Sequence, residues 1–178
     1  MIALVTGGAR SGKSRFAEEK CRAYDRVLYI ATAEITDEEM RRRVEEHRKR
    51  RPENWDTAES LPDPAEIRNY DAVLLDCVTL LLSRELYLVS QEVDEGDVEM
   101  ETTRRVIARL EGWIDAARAA GTDLYCVSNE VGMGIVPMDP VSRAFRDCQG
   151  RVNQWIAKQS DAVYWLVSGI AVAIKCAD

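Results

Sequence analysis

The chain reads as an α/β protein with a largely parallel sheet, and three observations predict it. Apolar runs at residues 2–5, 27–31, 72–75, 124–127 and 162–167 alternate with segments of helical period. That is the pattern of strands buried on both faces and joined by crossover helices. The first run leads into a glycine-rich turn and then a helix with Phe16, Ala17 and Cys21 on one face, as at the head of a nucleotide-binding βαβ unit. The last run is followed, after Ser168-Gly169, by a final strand at residues 170–174. A connection that short implies an antiparallel hairpin, so the sheet is expected to be mixed at that edge.

The turn after the first strand carries the most chemistry. Gly7-Gly8-Ala9-Arg10-Ser11-Gly12-Lys13-Ser14 fits the phosphate-binding pattern of glycine, four residues, then Gly-Lys-Ser. Glycines let successive backbone N–H groups turn inward around phosphate oxygens, and the helix N-terminus adds partial positive charge. Lys13 then reaches the β- and γ-phosphates and the Ser14 hydroxyl is a Mg²⁺ ligand. The plainer reading, a Gly/Ser-rich turn with an exposed lysine, is disfavoured by the flanking strand and helix. On its own the loop specifies a nucleoside triphosphate and nothing narrower.

Composition bounds the rest. With 178 residues and 46% hydrophobic content, residues 1–178 are expected to form a single domain with a substantial core. No linker, repeat or apolar run long enough for a bilayer divides it. The N-terminus enters a core strand without the features of a signal peptide, and the five cysteines are odd in number and lack CxxC spacing. A cytoplasmic protein without disulfides or a zinc site is expected. A net charge of −7 disfavours nucleic acid as a general partner. Residues 83–101 are the least legible: 90–97 are acidic and loop-like, with mobility expected there, before a helix through Val106, Ile107, Leu110, Trp113 and Ile114.

Residues 37–51 read as a helix with Thr36 or Asp37 as N-cap and Pro52 past its end. Met40, Val44 and His47 share its inward stripe, so the single histidine of the chain projects from that face. A lone histidine there is compatible with a hydrogen-bonded core residue. Equally, an uncharged imidazole is a competent nucleophile toward phosphorus, and Arg43, Arg48, Lys49, Arg50 and Arg51 form a cationic cluster suited to a second set of phosphates. Part of that cluster also fits a solvated face balanced by Glu38, Glu39, Glu45 and Glu46.

Several motifs taken together resemble one family. They are the N-terminal strand and loop, Tyr29-Ile30-Ala31-Thr32-Ala33, His47 followed by Arg51-Pro52, Trp55-x-Thr57-x-Glu59, residues 129–137 (Asn-Glu-Val-Gly-Met-Gly-Ile-Val-Pro), Phe145-Arg146-Asp147 through Gln154, and Val167-Ser168-Gly169-Ile170. This set resembles the bifunctional adenosylcobinamide kinase/adenosylcobinamide-phosphate guanylyltransferases of cobalamin biosynthesis, over nearly the whole chain. The resemblance implies a RecA-like P-loop fold, commonly a homotrimer. It implies phosphorylation of adenosylcobinamide by ATP or GTP, then transfer of GMP from GTP to adenosylcobinamide phosphate with release of pyrophosphate.

It also implies site residues. The histidine that carries GMP matches His47. Guanine and ribose contacts match Ala31, Thr32 and Ala33, the run Arg48, Lys49, Arg50 and Arg51, and the acidic Glu59 and Asp76. Glu59 fits either an acceptor for the guanine N1–H and N2–H₂ or a solvated loop glutamate. Asp76 ends an apolar strand, where P-loop proteins place the acid that orients Mg²⁺. Residues 131–137 fit a lid over the corrinoid, a subunit contact or a connector. Two other functions remain open on residues alone: a P-loop switch protein, and a simple small-molecule kinase with His47 as a core residue.

Overall fold

A computed structural model describes residues 1–33, 38, 41, 42, 48 and 51–176. Its strands are β1 (Ile2–Gly7), β2 (Val27–Ala31), β3 (Asp56–Ala58), β4 (Ala72–Asp76), β5 (Asp123–Asn129), β6 (Ala162–Val167) and β7 (Ile170–Lys175). Its helices are α1 (Lys13–Cys21), α2 (Pro64–Ile67), α3 (Val78–Ser90), α4 (Val98–Ala120) and α5 (Pro140–Gln159). The sheet order is β3-β2-β4-β5-β1-β6-β7, parallel throughout except for the β6–β7 hairpin. Mixed α/β architecture and the antiparallel edge are as the apolar runs predict.

Strand period two sorts the core. Ile2 and Leu4 of β1, Leu28 and Ile30 of β2, and Val73 and Leu75 of β4 face one cluster, filled by Leu81, Leu82, Leu110, Trp113 and Val152 from α3, α4 and α5. The alternate residues Ala3, Val5, Tyr29 and Leu74 face the other, where α1 supplies Ala17 and Cys21. Both faces of the parallel strands are therefore dry, which is why these strands read as unbroken apolar runs. Trp113 satisfies its indole N–H on the carbonyl of Pro62 at 3.1 Å, so its bulk is buried without an orphaned donor.

Residues 83–101 prove more regular than their sequence suggests. Ser83 to Ser90 complete α3 and Val98 opens α4, so only the turn around 91–97 departs from helix. Arg105 bridges Glu92 and Glu101, each at 2.6 Å, tying that turn to the first turns of α4. Glu92, one of the acidic residues that look loop-like in one dimension, is thus a partner of Arg105.

The short β3 is invisible to periodicity because three residues cannot display alternation. It forms because Asp56, Thr57 and Ala58 pair with Leu28, Tyr29 and Ile30 at the sheet edge. The parallel strands present their carboxyl ends together, bringing Gly7, Ala31, Asp76 and Asn129 to one rim of the sheet, where ligands bind in such folds. Among the described residues no helix is long and apolar enough to cross a membrane.

Candidate active site

The loop after β1 is shaped by two glycines and one neighbouring turn. Gly7 has φ 149°, and a Cβ there would lie 2.4 Å from the Leu166 carbonyl oxygen. Only hydrogen fits. Gly12, the residue before α1, is left-handed at φ 97°, and this aims the first amides of the helix into the loop. The β6–β7 turn grips the loop from outside, since the Gly169 N–H donates to the Ser11 carbonyl at 3.0 Å. Ser11 Oγ is buried without a hydrogen-bond partner among the described residues, a donor placed inside a loop built for anions.

Lys13 is only 6% exposed, and its Nζ donates to the Gly8 carbonyl at 2.6 Å. Burial pulls its ammonium below the usual lysine pKa, partly opposed by Cys77 and Asp76. The loop thus holds a cation that dry surroundings disfavour, and an anionic ligand is the natural compensation.

Asp76, at the end of β4, meets α1 from across β5. Ser14 Oγ donates to its Oδ1 at 3.2 Å, and the Tyr29 hydroxyl donates to its Oδ2 at 2.7 Å. Thr32 fixes the backbone beyond it: Oγ1 accepts from Cys77 N–H at 2.7 Å and donates to the Cys77 carbonyl at 2.8 Å. The Ser14 hydroxyl and Asp76 carboxylate are hard oxygen donors side by side, the set with which proteins hold Mg²⁺ together with substrate phosphates and water. Among the described residues no three His, Cys, Asp or Glu side chains gather as a metal cage. Burial pushes the Cys21 thiol up to about 12 and the Cys77 thiol up to about 11, which keeps both neutral and poorly nucleophilic.

Beside this centre, Ala31, Thr32, Ala33 and Glu59 line one small cavity of about 60 Å³ with Leu61, Leu81 and Arg84. Four of the residues expected to contact the nucleoside, Ala31, Thr32, Ala33 and Glu59, are thus brought to one place. The Glu59 side chain is 77% exposed and lies 3.9 Å from the Arg48 guanidinium. Arg51 stacks on the Tyr29 ring at 3.9 Å from its centroid and donates to Thr57 Oγ1 at 3.0 Å. His47, Lys49 and Arg50, with most of the helix expected over 37–51, lie outside the described residues.

Next to the loop, the Glu130 N–H donates to the Gly7 carbonyl at 3.0 Å. The chain then runs through residues 131–137 past an open groove of about 490 Å³ lined by Gly132, Gly134 and Val136 with Arg146, Arg151 and Gln154. Met133, Ile135 and Met138 stand largely in solvent.

Four residues at the site are given no role of their own by the sequence, and three of them, Tyr29, Thr57 and Gly169, enter it only as members of the family-like motifs. Tyr29 reads as one more apolar strand residue, Thr57 sits in a strand too short to detect, and Arg84 falls in the illegible stretch. Gly169 is visible as a turn, but its contact with Ser11 spans the whole chain.

A family model described as cobinamide kinase / cobinamide phosphate guanyltransferase matches residues 3–174. The chain is 42% identical to the bifunctional adenosylcobalamin biosynthesis protein CobU of Escherichia coli (strain K12), over 98% of this chain and 100% of that protein. It is 42% identical to the protein of the same description from Salmonella typhimurium (strain LT2), again over 98% and 100%. Among solved structures, an ATPase from the type III secretion system of pathogenic bacteria superposes with a TM-score of 0.57 at 16% identity, covering 93% of this chain and 51% of that one. That likeness concerns the fold alone, a mixed α/β fold with a mostly parallel sheet.

Proposed function

The chain belongs to the cobinamide kinase / cobinamide phosphate guanyltransferase family, and on that premise we propose that it carries out both transfers. It phosphorylates adenosylcobinamide with ATP or GTP, and it then transfers GMP from GTP to adenosylcobinamide phosphate. The observation that carries this reading is the family match over residues 3–174, to which the buried Lys13 beside the Ser14–Asp76 pair gives a chemical centre.

In the first transfer, the aminopropanol hydroxyl of the corrinoid attacks the γ-phosphorus. The bond from that phosphorus to the β-bridging oxygen breaks, and the nucleoside diphosphate leaves. Lys13, Arg10 and the amides from Gly8 to Ser14 neutralise charge on the phosphate oxygens. Ser14 and Asp76 would hold Mg²⁺, which would supply further neutralisation of the phosphate charge.

In the second transfer, a His47 ring nitrogen attacks the α-phosphorus of GTP. A P–N bond forms, the α–β P–O bond breaks and pyrophosphate leaves. A phosphate oxygen of the corrinoid then attacks the same phosphorus, the P–N bond breaks and imidazole is restored, giving adenosyl-GDP-cobinamide. Arg48, Lys49, Arg50 and Arg51 serve the charge that develops, while Ala31, Thr32, Ala33 and Glu59 take the nucleoside. The closeness of these last four around one cavity supports that assignment.

We place the enzyme in the cytoplasm and assemble it as a homotrimer. Support for assembly comes from β7, an edge strand whose Ile170, Val172 and Ile174 are exposed, and unpaired apolar edges are ordinarily covered.

The test is incubation with α-labelled GTP. Acid-labile, base-stable label should be retained by the wild type and lost in His47→Ala, which should keep much of the kinase activity because that step needs no covalent carrier. Normal labelling of His47→Ala would refute the assignment. A simple kinase or a nucleotide switch would take up no label in the wild type.

A further inference from the structure

Tyr29 is buried at 4% exposure, yet it touches both halves of the site. It lies on β2 opposite Leu74 of β4 and opposite Thr57 of β3. Its side chain points to the face covered by α1, so its hydroxyl reaches two residues up the neighbouring strand to Asp76 Oδ2 at 2.7 Å. Ser14 holds the other oxygen of that carboxylate at 3.2 Å. On the opposite side of the phenol, Arg51 covers the ring at 3.9 Å and is itself pinned to Thr57 at 3.0 Å. Arg51 stands four residues after His47.

We propose that Tyr29 is a positioning residue shared by the two transfers: its hydroxyl fixes the Asp76 carboxylate beside Ser14, and its ring seats Arg51. One rigid side chain thereby sets both the acid of the phosphate loop and the start of the chain leading back to His47. The inference rests on the reading of Asp76 and His47 given above.

The chemistry suits the task. A carboxylate with two acceptor oxygens rotates freely unless both are held, and a donor of fixed length from a ring with few rotamers restricts it at small entropic cost. A guanidinium over an aromatic face gains from the ring quadrupole while leaving N–H groups for other acceptors.

The experiment uses the full chain and Mn²⁺ as probe, titrated by electron paramagnetic resonance in the presence of a non-hydrolysable ATP analogue. Tyr29→Phe keeps the ring and loses the hydroxyl, so Mn²⁺ affinity should fall about tenfold, the scale of one hydrogen bond to a charged group. In an Asp76→Asn background the same change should cost nothing further, because the charged partner is gone. Equal affinity in Tyr29→Phe and wild type, or an equal loss in both backgrounds, overturns the hydroxyl role.

The ring is tested separately by uptake of label from α-labelled GTP. Tyr29→Leu should slow labelling at least about tenfold beyond Tyr29→Phe, and equal rates overturn the seating of Arg51. Should Tyr29→Leu not fold, Thr57→Val removes another anchor of Arg51 at the sheet edge. It should slow labelling while Mn²⁺ affinity stays at the wild-type level, and unchanged labelling again overturns the role. A wild type that takes no label refutes the guanylyl-transfer reading instead, and the Mn²⁺ titration still reports on Tyr29 and Asp76.

Discussion

Lys13→Ala should lower catalysis without lowering the stability of the ligand-free fold. The side chain is buried at 6% exposure, and burial lowers its pKa from the ordinary 10.5. A lysine whose folded pKa is lowered binds its proton less tightly in the native state than in the unfolded chain. Below the folded-state pKa both states are protonated, and there the ammonium destabilises the ligand-free fold. Removing it also removes the 2.6 Å hydrogen bond to Gly8, a loss worth about 1 kcal/mol, and it relieves the desolvated charge. The melting temperature of the ligand-free variant should therefore equal or exceed that of the wild type. The gap should close as pH rises toward 10.5, where the native wild type sheds the proton first. Kinase turnover should fall by about 10²–10³-fold, the usual cost of one charge contact to a developing transition state. Calorimetry across pH with a coupled assay for nucleoside diphosphate release gives both numbers. A folded Lys13→Ala protein with wild-type turnover would refute the placement of the kinase site in this loop, and a large drop in ligand-free melting temperature would refute the account of Lys13 as a strained cation.

Gly7→Ala should be among the most damaging single changes. A Cβ 2.4 Å from the Leu166 carbonyl, on a residue at φ 149°, must push apart β1 and β6 and add backbone strain, so about 3–5 kcal/mol of stability should be lost in urea unfolding; a loss under 1 kcal/mol would mean the loop is not held against β6. Glu59→Gln should narrow the preference for GTP over ITP in guanylyl transfer by only about fivefold, because the carboxylate is 77% exposed and water competes for the guanine edge. An unchanged GTP-to-ITP ratio of kcat/KM would return Glu59 to the solvated loop residues.

Much of this protein is legible from its sequence because its strands are buried on both faces. Residues 72–75 are apolar without interruption for the reason that Val73 and Leu75 face one helical layer and Leu74 the other. The loop is legible because its glycines meet demands that no other residue satisfies, as the 2.4 Å approach at Gly7 illustrates. Asp76 can be read as the polar stop to an apolar strand. Features that depend on distant pairing cannot be read this way. β3 exists only through its ladder to β2, and residues 83–90 look irregular because α3 is apolar around much of its circumference, burying Leu81, Leu82, Glu85, Leu86 and Val89. Glu85, an apparent surface residue, is buried there because Arg109 of α4 lies 3.5 Å away.

The site is divided along the same line. Gly7 through Ser14 share a backbone geometry that a local motif encodes, so sequence suffices to locate the loop. Tyr29, Thr57 and Gly169 act by holding something else in place, and what they hold lies 47 residues away for Asp76, six for Arg51 and more than 150 for Ser11. Such supporting residues follow no spacing rule, since their partners are brought to them by strand order. The insertion of β5 and β1 between β4 and β6 is what lets one loop meet the Asp76 carboxylate on one side and the β6–β7 turn on the other. A change in the supporting set should therefore leave the phosphate-loop pattern intact and still alter the chemistry, with Tyr29→Phe as the sharpest case. Its ring, its burial and every residue of the loop persist, and only the orientation of one carboxylate is released.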